Sequence, residues 1–188
     1  MRAALLCLVL LMSVPHAARA GEAAAELKAQ AAVDVLVATC LKENLHTACI
    51  QKAAMTCIQT DIAPIEPVFL APKAVVHIFE WCANAEQKAW QHRLDADIQS
   101  IMDLLPTGPA QREFEEQQRT WENFVAMSFP YNHFDSDSGL VSPATQEMLP
   151  LVAIRSVQVE SILDWVRECI TKELLPDSSV CKYMNAIP

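Results

Sequence analysis

Between Trp81 and Phe124 the sequence carries two helical patterns separated by one break, and this arrangement constrains the fold more than any other feature. Trp90, Leu94, Ile98, Ile101 and Leu105 recur at steps of three and four, which places them on one helical face. The run Leu104-Leu105-Pro106-Thr107-Gly108-Pro109 then stops the helix. Proline has no amide hydrogen to give the ladder, and glycine tolerates left-handed dihedrals. A second helix follows, with Phe114, Trp121, Phe124 and Val125 expected on one side and Glu113, Glu115, Glu116 and Arg119 mostly elsewhere. Two amphipathic helices joined by so short a break predict an antiparallel hairpin with facing apolar sides.

The rest of the chain extends that pattern. Residues 22–41 are alanine-rich without glycine or proline, and Leu27, Ala31, Val35 (with Val33 and Leu36) and Ala38 are expected to form the buried stripe of a first helix. Residues 42–46 read as a turn, and a short helix is expected over 47–59, bracketed by Cys49 and Cys57. Prolines 64, 67 and 72 make 61–73 an extended connection. Residues 128–145 mix aromatics, acids, one glycine and two prolines, the composition of an irregular surface loop. Ser142-Pro143 is a favourable start for a last helix. Its stripe is Met148, Val152, Val159, Ile162 (with Leu163) and Val166, and its end is expected near Leu175-Pro176. The predicted fold class is all-α: a disulfide-stapled antiparallel helical bundle of about four to five helices.

Residues 1–20, MRAALLCLVLLMSVPHAARA, read as a secretory signal, with Arg2 before an apolar run and a small-x-small site at Ala18-Arg19-Ala20. This leaves residues 21–188 as a single helical domain with a cysteine-rich N-terminal extension and a C-terminal tail, periplasmic or secreted, and without a membrane anchor once the signal is cleaved. The formal net charge of the whole chain is −9. The signal carries two arginines and no acid, so the remainder is more acidic still. Such a chain repels nucleic acid and anionic membrane surfaces and attracts basic partners.

Cys7 leaves with the signal, and Cys40, Cys49, Cys57, Cys82, Cys169 and Cys181 remain. An even set in an exported chain argues for disulfides, and six cysteines allow about fifteen connectivities. Sequence position suggests Cys40–Cys49 and Cys169–Cys181 as local clasps, with Cys57–Cys82 spanning the connection between helices.

His46, His77, His92 and His133 form no HxxxH or HExxH pair, and there is no CxxC, so neither a zinc site nor any cofactor is expected. With glycine only at 21, 108 and 139 there is neither a nucleophile elbow nor a phosphate loop. Asp135-Ser136-Asp137-Ser138-Gly139 suggests a calcium loop, but glycine falls fifth and Gln146 twelfth, against the template's sixth-position glycine and twelfth-position glutamate. Trp81, Trp90 and Trp121 read as core fillers; a carbohydrate platform of exposed rings is disfavoured because Trp90 and Trp121 sit on the apolar stripes. Gln118 and Arg155 lie near those stripes and need partners if buried, with an acid or a route to the rim expected for Arg155. The reading is non-enzymatic.

Three segments carry a family resemblance. Cys82-Ala83-Asn84-Ala85-Glu86, then Trp90, Leu94-Asp95 and Ile101-Met102, resembles the opening helix of the lysozyme inhibitor LprI-like family. Gln118-Arg119-Thr120-Trp121-Glu122-Asn123-Phe124 resembles its QRxWxxF signature, and the helix with Arg155 and Gln158 is similar to its closing helix. Where the family usually carries an arginine and a cysteine, Val125-Ala126-Met127-Ser128 stands here, and Met148 or a neighbour replaces the partner cysteine. The resemblance implies a periplasmic helical binding protein, in some members an inhibitor of lysozyme. The expected partner is thus a protein, with a basic lysozyme as the first candidate, met by Tyr131, His133, Asp135 and Asp137 and blocked by occlusion. The alternative is a cell-envelope structural or assembly factor that binds another exported protein. The partner's identity and the oligomeric state stay open.

Overall fold

The computed structural model describes residues 24–44, 46–60, 62, 72–105, 108–128 and 143–171. Five helices make up most of it: α1 over 24–43, α2 over Lys52–Gln59, α3 over Pro72–Leu104, α4 over Pro109–Ser128 and α5 over Pro143–Thr171. A 3-10 turn at His46–Cys49 joins α1 to α2. The expected all-α, disulfide-stapled bundle is what the chain forms.

The axis is the α3–α5 pair, which packs in close contact. Ala85, Ala89 and Trp90 of α3 share a cluster with Leu149, Val152 and Ala153 of α5, and Leu94 and Ile101 share a second with Val159 and Leu163. The two helices therefore run parallel, and α4 returns antiparallel between the ends. Of the α3 stripe, Trp90, Leu94 and Ile101 are fully buried, with Ile98 and Leu105 packed against them. The break falls where the sequence places it. Leu105 N–H closes the last turn on Ile101 O at 2.9 Å, and Arg112 N–H opens α4 on Gly108 O at 3.2 Å. Gly108 sits at φ +155, where a side chain is strained although a Cβ there meets nothing within 4 Å.

Three expectations are corrected. In α1 the buried residues are Ala29, Val33, Val37 and Cys40, while Leu27 and Val35 are 72% and 63% exposed and Ala31 is exposed with them. An alanine-rich helix has apolar atoms on every side, so periodicity does not fix its rotation. Cys40 does, because it must meet Cys49, and the buried residues lie three, seven and eleven positions before it.

The helix expected over 47–59 is two pieces. Gln51 adopts φ 68 between the 3-10 turn and α2, so Cys49 and Cys57 do not share one helical surface. In α4, Phe124 is 52% exposed rather than part of the buried face. At roughly 100° per residue it lies about 60° around the helix from Trp121 and about 120° from the buried Gln118.

Cys40–Cys49 and Cys57–Cys82 are disulfides with Cα–Cα separations of 5.7 and 5.8 Å, as expected. Cys169 is also disulfide-bonded. Its expected partner Cys181 lies outside the described residues, as do the 1–20 signal, the C-terminal tail and the expected end of the last helix. Disulfides of this kind mark a chain that matures in an oxidising compartment. Among the described residues no helix is long and apolar enough to cross a membrane.

Candidate functional site

Tyr131, His133, Asp135 and Asp137, the expected partner contacts, lie outside the described residues. The site is therefore built from what surrounds their attachment point, α4, and from the polar groups held inside the bundle.

The most deeply buried of those groups is Glu86 of α3, with no exposed surface. Its Oε1 accepts from Gln51 N–H at 2.7 Å and from the Trp90 indole N–H at 3.1 Å, and its Oε2 accepts from Ala54 N–H at 2.6 Å. No side chain of α2 caps that helix. Glu86 supplies the acceptor from a neighbouring helix, where a negative group also suits the helix dipole. Burial pushes its carboxyl above the ordinary carboxylate range, against the lowering effect of Ala54, Trp90, Gln51 and Ala53. Cys82, Glu86 and Trp90 stand four residues apart, so the sequence signal was an acid on an otherwise apolar line. What it caps was not readable.

A second polar seam joins α3, α5 and the 3-10 turn. Arg93 Nη2 donates to Glu160 Oε1 at 3.0 Å. His46 Nδ1 lies 3.0 Å from Glu160 Oε2 without hydrogen-bond geometry, and that oxygen has no bonded partner among the described residues. Beside them Asp97 Oδ2 is buried without a partner among the described residues. Burial, then the Glu160 charge, raise the Asp97 carboxyl above its usual range.

The third seam fixes α4. Gln118, buried on α4, accepts through Oε1 from Arg155 Nη2 at 3.0 Å. The Arg155 guanidinium carbon lies 6.0 Å from the Trp121 ring centre, and Nη1 reaches Gln158 Oε1 at 3.4 Å. Arg155 is half-buried and takes an amide and a ring as partners, where an acid or a route to the rim is expected. Trp90 is fully buried and Trp121 half-buried.

All three seams bond helices to one another. At the far end of α4 they leave two large apolar side chains exposed. Phe114 and Gln118 are the buried residues of α4, whereas Phe124 and Met127, at its far end, are 52% and 74% exposed. That end leads directly into 129–142. Among the described residues, no group of three or more His, Cys, Asp or Glu is placed to hold a metal ion. Compared with protein-family models, curated proteins and solved structures, the chain matches none.

Proposed function

We propose that this chain is an exported, non-enzymatic binding protein, periplasmic or secreted, that covers a basic protein partner by occlusion. The observation that carries the reading is the end of α4. Phe124 and Met127 stand in solvent on a helix whose other side is pinned, and they adjoin the segment bearing Tyr131, His133, Asp135 and Asp137. Exposed aromatic and methionine side chains with acids around them are the composition of an interface core and its rim. The chain's charge of −9 speeds encounter with a basic protein. The disulfides support export.

The resemblance to the lysozyme inhibitor LprI-like family makes lysozyme the first partner to test. Purified, oxidised protein is titrated against chicken-type and goose-type lysozymes at low and moderate salt. The expected result is saturable binding, weakened by salt, that stops cell-wall lysis and is lost in Met127→Asp. Absence of binding to both removes lysozyme. The second reading, an envelope assembly factor, is favoured by a different surface: Leu27 and Val35 form a further exposed apolar line on α1.

A further inference from the structure

Between α1 and α3 the surface opens into a groove of about 460 Å³, walled by Glu26 and Gln30 from α1 and by Trp81, Asn84, Lys88 and His92 from α3. We infer that this groove binds a neutral saccharide. The inference goes beyond the protein-binding role and uses a different surface.

The two walls are built differently. On α3 the lining residues follow one another at steps of three or four, so ring, amide, ammonium and imidazole form a line. From Trp81 to His92 that line spans roughly 16 Å of helix. Trp81 is half-buried and leans on the core, so its ring is held in place rather than free. On α1, Gln30 has both amide hydrogens committed: Nε2 donates to Asp34 Oδ1 at 2.9 Å and to Ala85 O at 2.8 Å. Its Oε1, with no partner among the described residues, is left as a fixed acceptor. Such a preset group costs little ordering entropy on binding.

The charges decide between ligands. Glu26 and Lys88 bring opposite charges from opposite walls, so the groove is nearly balanced within a chain of net charge −9. A ligand of a single charge sign is attracted by one wall and repelled by the other. A saccharide finds what is present: hydroxyls that donate to Gln30 Oε1 and Glu26 and accept from Lys88, an amide at Asn84 for either role, and a tryptophan on which a sugar's C–H face can rest. An amphipathic helical peptide needs a continuous apolar trough. Here only Trp81, Ala85 and Leu27 are apolar. The volume is within the range of small-molecule sites, about 300–1,000 Å³.

The test uses the oxidised full chain in calorimetric titrations with two probes, cellotetraose and the N-acetylglucosamine tetramer. A lysine-rich and a glutamate-rich peptide serve as comparators. At least one sugar should bind saturably with a dissociation constant of about 1 mM or tighter. That binding should be insensitive to added salt and weakened about tenfold or more in both Asn84→Ala and Trp81→Ala. Because Trp81 also touches the core, Asn84→Ala and Lys88→Ala, both at exposed positions, keep the test valid if Trp81→Ala misfolds. No saturable sugar binding overturns the inference. So does sugar binding that Asn84→Ala leaves intact, or binding of a peptide alone.

Discussion

The eight-residue α2 and the twenty-residue α4 dock on the same central pair of helices, and the shorter one is held far more firmly. By itself α2 is too short to persist, since isolated helices below about 12–15 residues are marginal in water. It is fixed covalently through Cys57–Cys82, preceded by the Cys40–Cys49 clasp, and met at its N-terminus by the Glu86 carboxylate. Three of its eight residues, Ala53, Ala54 and Cys57, are buried. α4 is long enough to hold its own ladder, yet only Phe114 and Gln118 of its twenty residues are buried. Among the described residues it makes no close backbone contact comparable to α3 with α5 or α2 with α3. Length and anchorage are separate properties here: the weak helix is locked, and the self-sufficient one is left with surface to spare.

The largest effect that tests this contrast is a pair of truncations. Trp90→Ala removes a ring that is fully enclosed and bonded to Glu86, and should cost about 3–5 kcal/mol in urea unfolding. Phe114→Ala, at the thinner α4 seam, should fall at or below the bottom of that range, because the site opens to solvent nearby. Equal losses would erase the distinction. Next, replacing Cys57 and Cys82 together with alanine should cost roughly 2–4 kcal/mol and abolish the protection of α2 amides from hydrogen exchange, while α4 amides keep theirs.

Glu86→Gln should cost about 1–3 kcal/mol, because an amide nitrogen replaces an acceptor facing a backbone N–H. Its pH dependence has a defined sign. The folded-state carboxyl is raised above its ordinary 4.5, so the folded protein holds that proton more tightly than the unfolded chain. The contribution is complete below the unfolded value and declines as pH rises through the folded one. The stability advantage of the native protein over Glu86→Gln should therefore shrink as pH climbs from about 4. An advantage that grows over that span would mean that hydrogen bonding, rather than burial, dominates at this carboxyl. The smallest effects belong to α4's exposed end: Phe124→Ser and Met127→Ser should each change stability by less than about 0.5 kcal/mol. A larger cost would show that these side chains are already in use within the fold.

The sequence was most legible where apolar and polar residues alternate at helical spacing. The α3 and α5 stripes, the break at 106–109 and both described disulfide pairs follow from spacing and cysteine position. It was least legible where neighbours distant in the chain decide local structure. Gln51 gives no local reason for a left-handed dihedral; its N–H is held by Glu86, thirty-five residues away. The rotation of α1 is set by Cys40, because alanines give no preference between its faces. Gln118 and Arg155 were identifiable as polar residues near apolar lines, but an arginine bonded to an amide and set over a ring is not what charge pairing alone suggests. Glu86 was visible as a residue and not as a cap, since its role exists only after α2 has been laid against α3.

That dependence sets an order of events during synthesis. The chain is made from its N-terminus, so Cys40, Cys49 and Cys57 are complete before Cys82 and Glu86 exist. Until α3 arrives, α2 has neither its acceptor nor its cross-link, and three thiols within one short stretch compete for one another. Cys40–Cys49, nine residues apart, has a partner at once, while Cys57 must wait for a residue twenty-five positions later. Premature joining of Cys49 to Cys57 is the natural error of such a nascent chain. A chain that makes this error needs disulfide exchange to free Cys57 once the third helix has docked.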